Sequence, residues 1–487
     1  MSSFGRRELA AHLKSASLLR RHSSLPTVRR WASTASANRP RTAIFFPGQG
    51  VQRVGMTTRW VEAFPQTAKP ILEEIDDTLG FGLTKIIECG TNAELNATQN
   101  SQPAIMATSV LLLRILEREF GFDLPKRVDF TLGHSLGEFA ALVAGGYLEF
   151  KDALLMVRRR GEVMAKISRE TCDEHGEVGM VALVCEHEDH LQPLIDAIHE
   201  FTALSTSGSK YDSVEDVPPV QQVVIANVNS KNQIVLSGSI ERIHTLLTHL
   251  RQFGGHDPRH VRLHSDSPFH SPLMKPAKEF MRRYLEKPSV VTGGDIIKWP
   301  GLVPCVSNVS ARPFKSREEL KDQLARQASE TVRWWDSVKY LDKEEKVRRW
   351  IGIGPGKVGR NLVGKEVGMK GQVKGGGVWG ITSPLEAEEC MKALDDTENY
   401  SDSEGSPSTA ADADVAPKRN VERGRHTAAY VFNPAIVQQI WPPPPCANFD
   451  LSGSASQISS HPDRDFSHND AIFRPASGHV SNTVPVN

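Results

Sequence analysis

The chain has 487 residues, with 58 Lys and Arg against 58 Asp and Glu, so its formal net charge at pH 7 is zero. Its length predicts about two to four domains. The charge balance leaves no overall basic surface, which argues against nucleic acid as a main partner. No apolar run approaches the roughly 20 residues of a spanning helix, so we expect no membrane partner. The six cysteines are scattered without a paired spacing, which argues against a metal site or a disulfide framework.

Residues 1–40 differ in composition from the rest of the chain. They are rich in Arg and Ser and contain a single acidic residue, Glu8. An amphipathic, Arg-rich and acid-poor start is typical of an organelle transit peptide, and the alternative is a disordered basic tail. We therefore predict import into the mitochondrial matrix, with cleavage between Trp31 and Asn38.

Alternating strand and helix patterns follow in the first half of the chain. An apolar strand at 42–46 runs into a glycine loop at 47–50, and helical spacing of apolar residues predicts a buried helix at 102–120. A second strand at 128–132 is followed at once by Gly-His-Ser-Leu-Gly at 133–137 and an Ala- and Leu-rich helix. This repeat indicates an α/β domain with a mostly parallel sheet.

The segment 179–265 has a different pattern and predicts a small α+β subdomain. It would be inserted in the larger domain, whose two parts are residues 41–178 and 266–389. The predicted strands and helices of the insert are 181–184, 190–201, 233–237 and 239–253.

Residues 390–487 are predicted to be a disordered tail. They include an acidic, Ser-rich stretch at 395–414 and a proline run at 442–445, and they lack hydrophobic periodicity. Such a segment cannot bury enough apolar surface to offset the entropy of ordering it.

The strongest chemical signal is the serine at the centre of the Gly-His-Ser-Leu-Gly stretch, Ser135. A serine between a strand and a helix, with glycines two positions away on both sides, forms a nucleophile elbow that holds the hydroxyl at the sheet edge. The backbone N–H of Leu136 would then face an oxyanion. An ordinary glycine turn is the alternative, and the flanking strand and helix argue against it.

Serine needs a base within hydrogen-bond reach to act as a nucleophile. His270, set between prolines in Ser-Pro-Phe-His-Ser-Pro at 267–272, lies C-terminal to Ser135 as in elbow enzymes. A packed loop histidine is the alternative. Spacing alone does not choose an acidic partner for His270.

The chain resembles the malonyl-CoA:acyl carrier protein transacylase family over roughly residues 42–385. The resemblance rests on the joint order of short blocks, each weak by itself. These are Phe-Pro-Gly-Gln-Gly-Val-Gln at 46–52, Gln-Pro-Ala-Ile-Met at 102–106, Gly-His-Ser-Leu-Gly-Glu at 133–138, Arg-Gly-Glu-Val-Met at 160–164, Phe-His-Ser at 269–271, Ser-Asn-Val at 307–309 and Gly-Pro-Gly at 354–356.

The resemblance implies a role for five residues at the reaction centre. Ser135 would form the acyl-enzyme, and His270 would act as general base and then general acid. The main-chain carbonyl of Gln327, rather than a carboxylate, would orient His270. The backbone N–H groups of Gln49 and Leu136 would form the oxyanion hole.

Four further residues are implied to contact the substrate. Arg160 would form a bidentate pair with the free carboxylate of malonate, a geometry that suits the planar guanidinium. Phe269 resembles its counterpart in malonyl-preferring members, and Asn227 and Asn229 match positions that line the cleft. Their alternative readings are a solvated helix arginine for Arg160 and turn residues at a strand start for the two asparagines.

The implied fold is an α/β-hydrolase-like large domain with an inserted ferredoxin-like subdomain and the active site between them. The implied reaction is ping-pong transfer of malonyl from malonyl-CoA to acyl carrier protein, for fatty acid synthesis. A coenzyme A thioester is a substrate in this scheme, and no metal or redox cofactor is expected. Two alternatives stay open, a serine thioesterase or esterase and a non-catalytic scaffold that binds carrier protein.

Overall fold

A five-stranded sheet forms the centre of the larger part of the fold. The computed structural model describes residues 39–204, 217–263, 267–371 and 373–398. All neighbouring strands in this sheet are parallel, so their C-terminal ends meet at one edge. In spatial order the strands are β7 Cys305–Val306, β2 Phe130–Gly133, β1 Arg41–Phe46, β8 Val347–Ile353 and β9 Gly377–Ile381.

Helices cover both faces of this sheet, which explains why most residues of its strands are buried and apolar. Successive side chains of a strand point to opposite faces. Ile44 and Phe46 of β1 accordingly belong to the core cluster on one face. Ala43 and Phe45 belong to the cluster on the other face. The α/β architecture with a parallel sheet is therefore as predicted.

The helices of the described ranges begin and end at defined residues. Those before the second sheet are α1 Thr58–Ala63, α2 Pro65–Leu79, α3 Leu83–Cys89, α4 Asn92–Asn96, α5 Thr98–Glu119, α6 Leu124–Arg127, α7 Gly137–Ala144 and α8 Phe150–His175. Those that follow are α9 Leu191–Leu204, α10 Ile240–Gln252, α11 Lys275–Tyr284, α12 Arg317–Arg326, α13 Trp334–Lys343, α14 Val358–Val367 and α15 Pro384–Asp395.

A separate four-stranded antiparallel sheet is built from the segment between α8 and α11. Helices α9 and α10 pack on one face of this sheet through an apolar cluster that includes Leu194 and Leu246. A second cluster on its other side includes Met164 of α8 and Phe269. In spatial order the strands are β4 Val223–Ser230, β5 Gln233–Ser239, β3 Val178–Val184 and β6 Arg259–Arg262.

The sequence predicted two of these four strands and missed β4 and β6. Strand β4 contains Asn227 and Asn229, a residue type that favours turns, so the sequence around these two predicted substrate contacts does not indicate a strand. All four residues of β6 are exposed, so this edge strand has no apolar alternation to detect. Residues 205–216, between α9 and β4, lie outside the described residues.

An ionic cluster joins the two ends of the described chain. Arg39 forms an ion pair with Asp129 at 2.9 Å, and both side chains are almost fully buried. Arg39 Nε also lies 3.8 Å from a carboxylate oxygen of Glu398. Glu398 lies 3.5 Å from Nη1 of Arg349, a buried residue of β8. The first and last described residues therefore meet beside the N-terminal end of β1.

Two predicted boundaries are wrong by a few residues. Arg39 and Pro40 fell in the predicted transit segment but are buried in the fold. The predicted tail began at Cys390, which is buried in the core with Leu394 as part of α15. The acidic residues of α15 resemble the tail in composition, while its apolar face packs inside. The remainder of both predicted segments, 1–38 and 399–487, lies outside the described residues.

The described ranges contain neither a helix suited to spanning a membrane nor a cluster of metal ligands. None of their helices combines the length and the apolar composition that a bilayer span requires. The same ranges contain no group of three or more His, Cys, Asp or Glu side chains placed to hold a metal ion.

Candidate active site

Ser135 occupies the sharp turn between β2 and α7, as the sequence predicted. Its φ is 49°, a left-handed conformation that is unfavourable for a residue with a side chain. The flanking glycines make the turn possible. A Cβ on Gly133 would overlap the backbone of Gly137, and a Cβ on Gly137 would overlap the carbonyl group of Phe46. The turn is thus packed against the end of β1.

Asn308, which follows β7, holds both sides of this strained turn. Its Oδ1 accepts a hydrogen bond from the backbone N–H of Ser135 at 2.8 Å, and its Nδ2 donates to the carbonyl of Gly133 at 2.8 Å. The backbone N–H of Asn308 donates to Oε1 of Glu138 at 3.0 Å. These three bonds, two of them buried, fix the position from which the serine hydroxyl projects.

The hydroxyl of Ser135 meets a histidine from a distant loop. Ser135 Oγ lies 2.7 Å from Nε2 of His270, and Nδ1 of His270 lies 2.8 Å from the main-chain oxygen of Gln327. A carbonyl oxygen can only accept, so Nδ1 must carry the proton that it donates to Gln327. Nε2 of the neutral ring is therefore the acceptor for the Ser135 hydroxyl. The structure brings these three predicted residues together without a carboxylate.

Burial keeps His270 in this neutral form. The residue is 2 % exposed. Burial and, secondly, the positive charge of Arg160 lower the pKa of His270 to about 3. A neutral imidazole is the form that can accept the serine proton.

The two predicted oxyanion donors lie in loops at the same sheet edge. Leu136 follows Ser135 at the N-terminus of α7, where backbone N–H groups face outward from the helix. Gln49 lies in the loop after β1, and this loop touches the elbow because a Cβ on Gly48 would overlap the carbonyl of His134. Adjacent parallel strands thus place Gln49 and Leu136 beside the serine.

Arg160 on α8 is buried and is held by two glutamines. It is 2 % exposed. Its Nη1 donates to Oε1 of Gln102 at 2.7 Å, and its Nη2 donates to Oε1 of Gln327 at 3.0 Å. Its Nε is buried without a hydrogen-bond partner, and among the described residues Arg160 forms no salt bridge. The charge is therefore oriented by neutral amides and is available for an anion.

The neighbouring arginines differ from Arg160 because both form salt bridges. Arg158 and Arg159 both pair with Glu162, and their side chains are 21 % and 64 % exposed. Burial lowers the pKa of Arg160 to about 10, against an opposing effect of the Glu138 charge. Arg160 thus remains positively charged at neutral pH although it is buried.

Comparison with known proteins places the chain in a family. Residues 44–200 match the acyl transferase domain family. The malonyl CoA-acyl carrier protein transacylase of Bacillus subtilis strain 168 is 36% identical over 325 residues, which cover 67% of this chain and 90% of the relative. The protein of that name from Staphylococcus aureus strain MRSA252 is 32% identical over 326 residues, 67% of this chain and 92% of the relative. The chain belongs to the malonyl-CoA:acyl carrier protein transacylase family.

Solved structures of the transacylase family have the same fold. The acyl-carrier-protein S-malonyltransferase of Bartonella henselae is 30% identical, has a TM-score of 0.58 and is aligned over 73% of this chain and 99% of its own. The transacylase of Streptococcus pneumoniae is 28% identical, with a TM-score of 0.59 and coverage of 73% and 100%. A malonyl-transacylase in complex with its type II polyketide synthase acyl carrier protein is 27% identical, with a TM-score of 0.59 and coverage of 72% and 99%.

The three other predicted substrate contacts have different surroundings. Asn229 Oδ1 lies 2.8 Å from Nε2 of His134, which links β4 to the nucleophile turn. Asn227 is buried where β4 forms a parallel bridge with Val332. Phe269 is 7 % exposed and packs in the cluster beneath the antiparallel sheet. Their role in binding a transacylase substrate stays a prediction.

Glu138 is the main residue of this site to which sequence reasoning assigned no role. It is 1 % exposed, its Oε1 accepts from Asn308, and its Oε2 has no partner. Burial raises the pKa of Glu138 to about 7, although its bonds to Asn308, the side chain of Gln327 and the charge of Arg160 act in the opposite direction. The detectable signal is an acidic residue on a helix that is otherwise apolar.

The side-chain contacts of Gln102, Asn308 and Gln327 were also missed. Gln102 and Asn308 stand in the blocks that carry the resemblance to the transacylase family, at 102–106 and 307–309. Their hydrogen-bond partners lie in remote parts of the chain. Asn308 and Gly133, for example, are 175 positions apart. Sequence spacing carries no information about such pairings.

The low pKa of His270 predicts acylation of Ser135 that persists in acid. A histidine with an ordinary pKa of about 6.5 would lose its base form roughly tenfold at one pH unit below that value. His270 loses it only as the pH falls through about 3. We expect the acylation rate, measured by rapid quench and intact mass, to stay nearly flat from about pH 8 to about pH 5.5.

A matched variant removes Glu138, a buried group of the site that does titrate in this range. Glu138, whose pKa is raised to about 7, is replaced in Glu138→Gln by an amide that keeps the acceptor for Asn308. An acid limb near pH 6.5 that persists in this variant would contradict the prediction for His270.

Proposed function

We propose that this protein transfers a malonyl group from malonyl-CoA to the phosphopantetheine thiol of acyl carrier protein through a Ser135 acyl-enzyme, for fatty acid synthesis. The observation that carries the proposal is the pairing of two features in one buried site. The hydroxyl of Ser135 is bonded to a neutral histidine at 2.7 Å. Beside it stands Arg160, a buried cation with an unpartnered Nε. The names of the relatives support the same assignment.

The chemistry proceeds in two symmetrical halves. His270 Nε2 accepts the Ser135 proton as Oγ attacks the thioester carbonyl, and the N–H groups of Gln49 and Leu136 stabilise the oxyanion. Collapse of the intermediate breaks the C–S bond, and the protonated His270 returns the proton to the sulfur of coenzyme A. The carrier thiol then gives its proton to His270 and attacks the Ser135 ester. Return of that proton to Ser135 Oγ completes the transfer.

Arg160 separates this proposal from a serine thioesterase or esterase. A hydrolase of simple acyl groups gains nothing from a buried guanidinium, because leaving such a charge unpaired in the apo site is costly. The malonyl carboxylate offers the partner that this guanidinium lacks. The hydrogen bond between the Ser135 hydroxyl and His270 Nε2 argues against a non-catalytic scaffold, because a scaffold needs neither a nucleophile nor a base.

We also propose the finer description of the fold, an α/β-hydrolase-like large domain with a ferredoxin-like subdomain. A parallel sheet with the nucleophile elbow after β2 supports the first part. A four-stranded antiparallel sheet with two helices on one face supports the second. The Asn229–His134 bond lies where the two parts meet beside Ser135.

The proposed reaction needs no metal or redox cofactor. It exchanges one thioester for another, so no atom changes its oxidation state. His270 supplies the base, and backbone N–H groups supply the oxyanion stabilisation that a Lewis acid would otherwise give.

The test of the function is transfer to a purified carrier protein. With malonyl-CoA and holo-acyl carrier protein, we expect malonyl on the carrier and release of coenzyme A in equal amounts, measured by intact mass and a thiol assay. Apo-carrier, which lacks the phosphopantetheine arm, is the control and should stay unmodified. Release of coenzyme A without carrier acylation would favour the hydrolase, and no release would favour the scaffold.

We propose that the protein acts in the mitochondrial matrix. The support is the Arg- and Ser-rich composition of residues 1–38 with its single acidic residue. The buried ion pair of Arg39 with Asp129 supports a cleavage site before Arg39, because removal of one partner of such a pair is strongly destabilising.

Two truncations test this assignment. Deletion of residues 1–38 should abolish import into isolated mitochondria and leave transferase activity unchanged. Deletion of residues 1–40 should also lower stability, by about 3–5 kcal/mol where the Arg39 pair is lost, as measured by chemical unfolding. Import of the protein that lacks residues 1–38 would contradict the assignment of the transit segment. Equal stability of the two truncated proteins would contradict the expected role of Arg39.

A further inference from the structure

One side chain joins the acyl-selecting arginine to the nucleophile. Gln327 is fully buried at the C-terminal end of α12. Its Oε1 accepts from Nη2 of Arg160 at 3.0 Å, and its Nε2 donates to the main-chain oxygen of Ser135 at 2.6 Å. Its own main-chain oxygen accepts from His270 at 2.8 Å. Base, nucleophile and arginine thus share one residue.

We propose that the Gln327 side chain is a positioning residue that couples Arg160 to the Ser135–His270 pair, so that a bound carboxylate is held in register with the attacking hydroxyl. This inference rests on the proposed function and concerns the side-chain amide. The main-chain carbonyl of Gln327 has a separate task, the orientation of His270.

The amide of Gln327 can satisfy both partners in one orientation only. A flipped amide would set its NH2 group against the guanidinium of Arg160 and its oxygen against the carbonyl oxygen of Ser135. Both contacts would lose a hydrogen bond and bring like partial charges together. The bonds to Arg160 and Ser135 therefore form or break as a unit, which ties the position of the cation to that of the elbow.

This tie matters when the substrate brings a carboxylate. The two glutamine bonds use one N–H on each Nη of Arg160, which leaves the Nε–H and two further N–H groups for an anion. A malonyl carboxylate bound there sits at a distance from Ser135 Oγ that Gln327 sets. Misplacement of reacting atoms by about 1 Å can cost on the order of a hundredfold in rate. An acyl group without a carboxylate bypasses this control.

The primary variant is Gln327→Met, which keeps the length and the main-chain carbonyl but removes both side-chain bonds. We expect kcat/KM for malonyl acylation to fall about tenfold to a hundredfold, the effect of losing hydrogen bonds of which one involves a charge. Acetyl acylation should fall by clearly less, so the malonyl-to-acetyl ratio drops. The fall should appear mainly in kcat, because Arg160 keeps its charge for binding.

A double-mutant cycle isolates the coupling. In an Arg160→Ala background the Gln327→Met change should alter malonyl acylation by less than about threefold, because the cation that Gln327 positions is gone. If Gln327→Met caused only structural damage, its effect on kcat/KM would multiply with that of Arg160→Ala. The kcat/KM values for malonyl and acetyl acylation would then fall by the same factor, which would overturn the proposal.

Two further variants serve as a control for damage to α12 and as a replacement for Gln327→Met. Gln323→Met, one turn earlier on α12 and also mostly buried, removes a bond to Glu319 and should leave the ratio at the wild-type value. Gln327→Ala removes the same two bonds and serves in the same cycle if Gln327→Met does not fold. If wild type shows no Ser135 adduct, the proposed function fails. If wild type acylates and the Gln327 variants keep the wild-type ratio, the coupling alone fails.

Discussion

Replacement of Ser135 by alanine should abolish the malonyl adduct that forms when the purified protein is mixed with malonyl-CoA. The reason is geometric, because the Ser135 hydroxyl is the group bonded to the base nitrogen of His270 at 2.7 Å. Loss of a nucleophilic serine reduces the rate by roughly 10⁶-fold. Intact-mass analysis measures the adduct directly, and peptide mapping locates it.

The control for this prediction is another serine on a buried element. Ser109→Ala removes a hydroxyl that bonds to a helical carbonyl of α5 at 2.8 Å and should leave the adduct intact. Thermal unfolding of both variants checks the fold. An adduct that persists on the Ser135 variant would remove the serine mechanism.

Replacement of Arg160 by alanine should change the choice of acyl group. In the proposed complex the malonyl carboxylate pairs with the Arg160 guanidinium in a buried site. Truncation of one partner of such a pair costs roughly 2–5 kcal/mol, or about a thirtyfold to several-thousandfold loss in malonyl acylation. Acetyl acylation should fall little, because an acetyl group has no carboxylate to leave unpaired.

The measurement is the malonyl-to-acetyl ratio of kcat/KM, which cancels general damage to the fold. Arg159→Ala is the matched control on the same helix, since the Arg159 side chain is 64 % exposed, and it should keep the wild-type ratio. Arg160→Lys should fall between wild type and Arg160→Ala because it keeps a point charge and loses the planar fork. An unchanged ratio in Arg160→Ala would reduce the assignment to an unspecified acyl group.

The parts of this site that were predictable from sequence depend on local chain geometry. The elbow around Ser135 follows from a strand, two spaced glycines and a helix, each of which leaves a local pattern. The burial of Arg160 and the carbonyl partner of His270 came from the order of the family blocks. No local pattern predicts the partner of His270, because Gln327 lies 57 positions away in the sequence.

What could not be predicted depends on contacts between remote segments. Asn308 bonds to Ser135 and Gly133, which lie more than 170 positions away in the sequence. The carboxyl group of Glu138 is buried within a helix that is otherwise apolar. Strand β6 has no apolar alternation, because it forms an exposed edge. The end of α15 was missed because its acidic face has the composition of a tail while Leu394 packs in the core.

The ionic cluster of Arg39, Asp129 and Glu398 determines where fused segments can be attached to this enzyme. It lies at the N-terminal end of β1, whereas the elbow lies beyond the C-terminal end of that strand. A strand of this length spans about 17–20 Å. An affinity tag, a fluorophore or a second enzyme joined before Arg39 or after Glu398 would therefore begin on the side opposite to Ser135. Surface immobilisation through either junction should leave the approach of a carrier protein to the active site open.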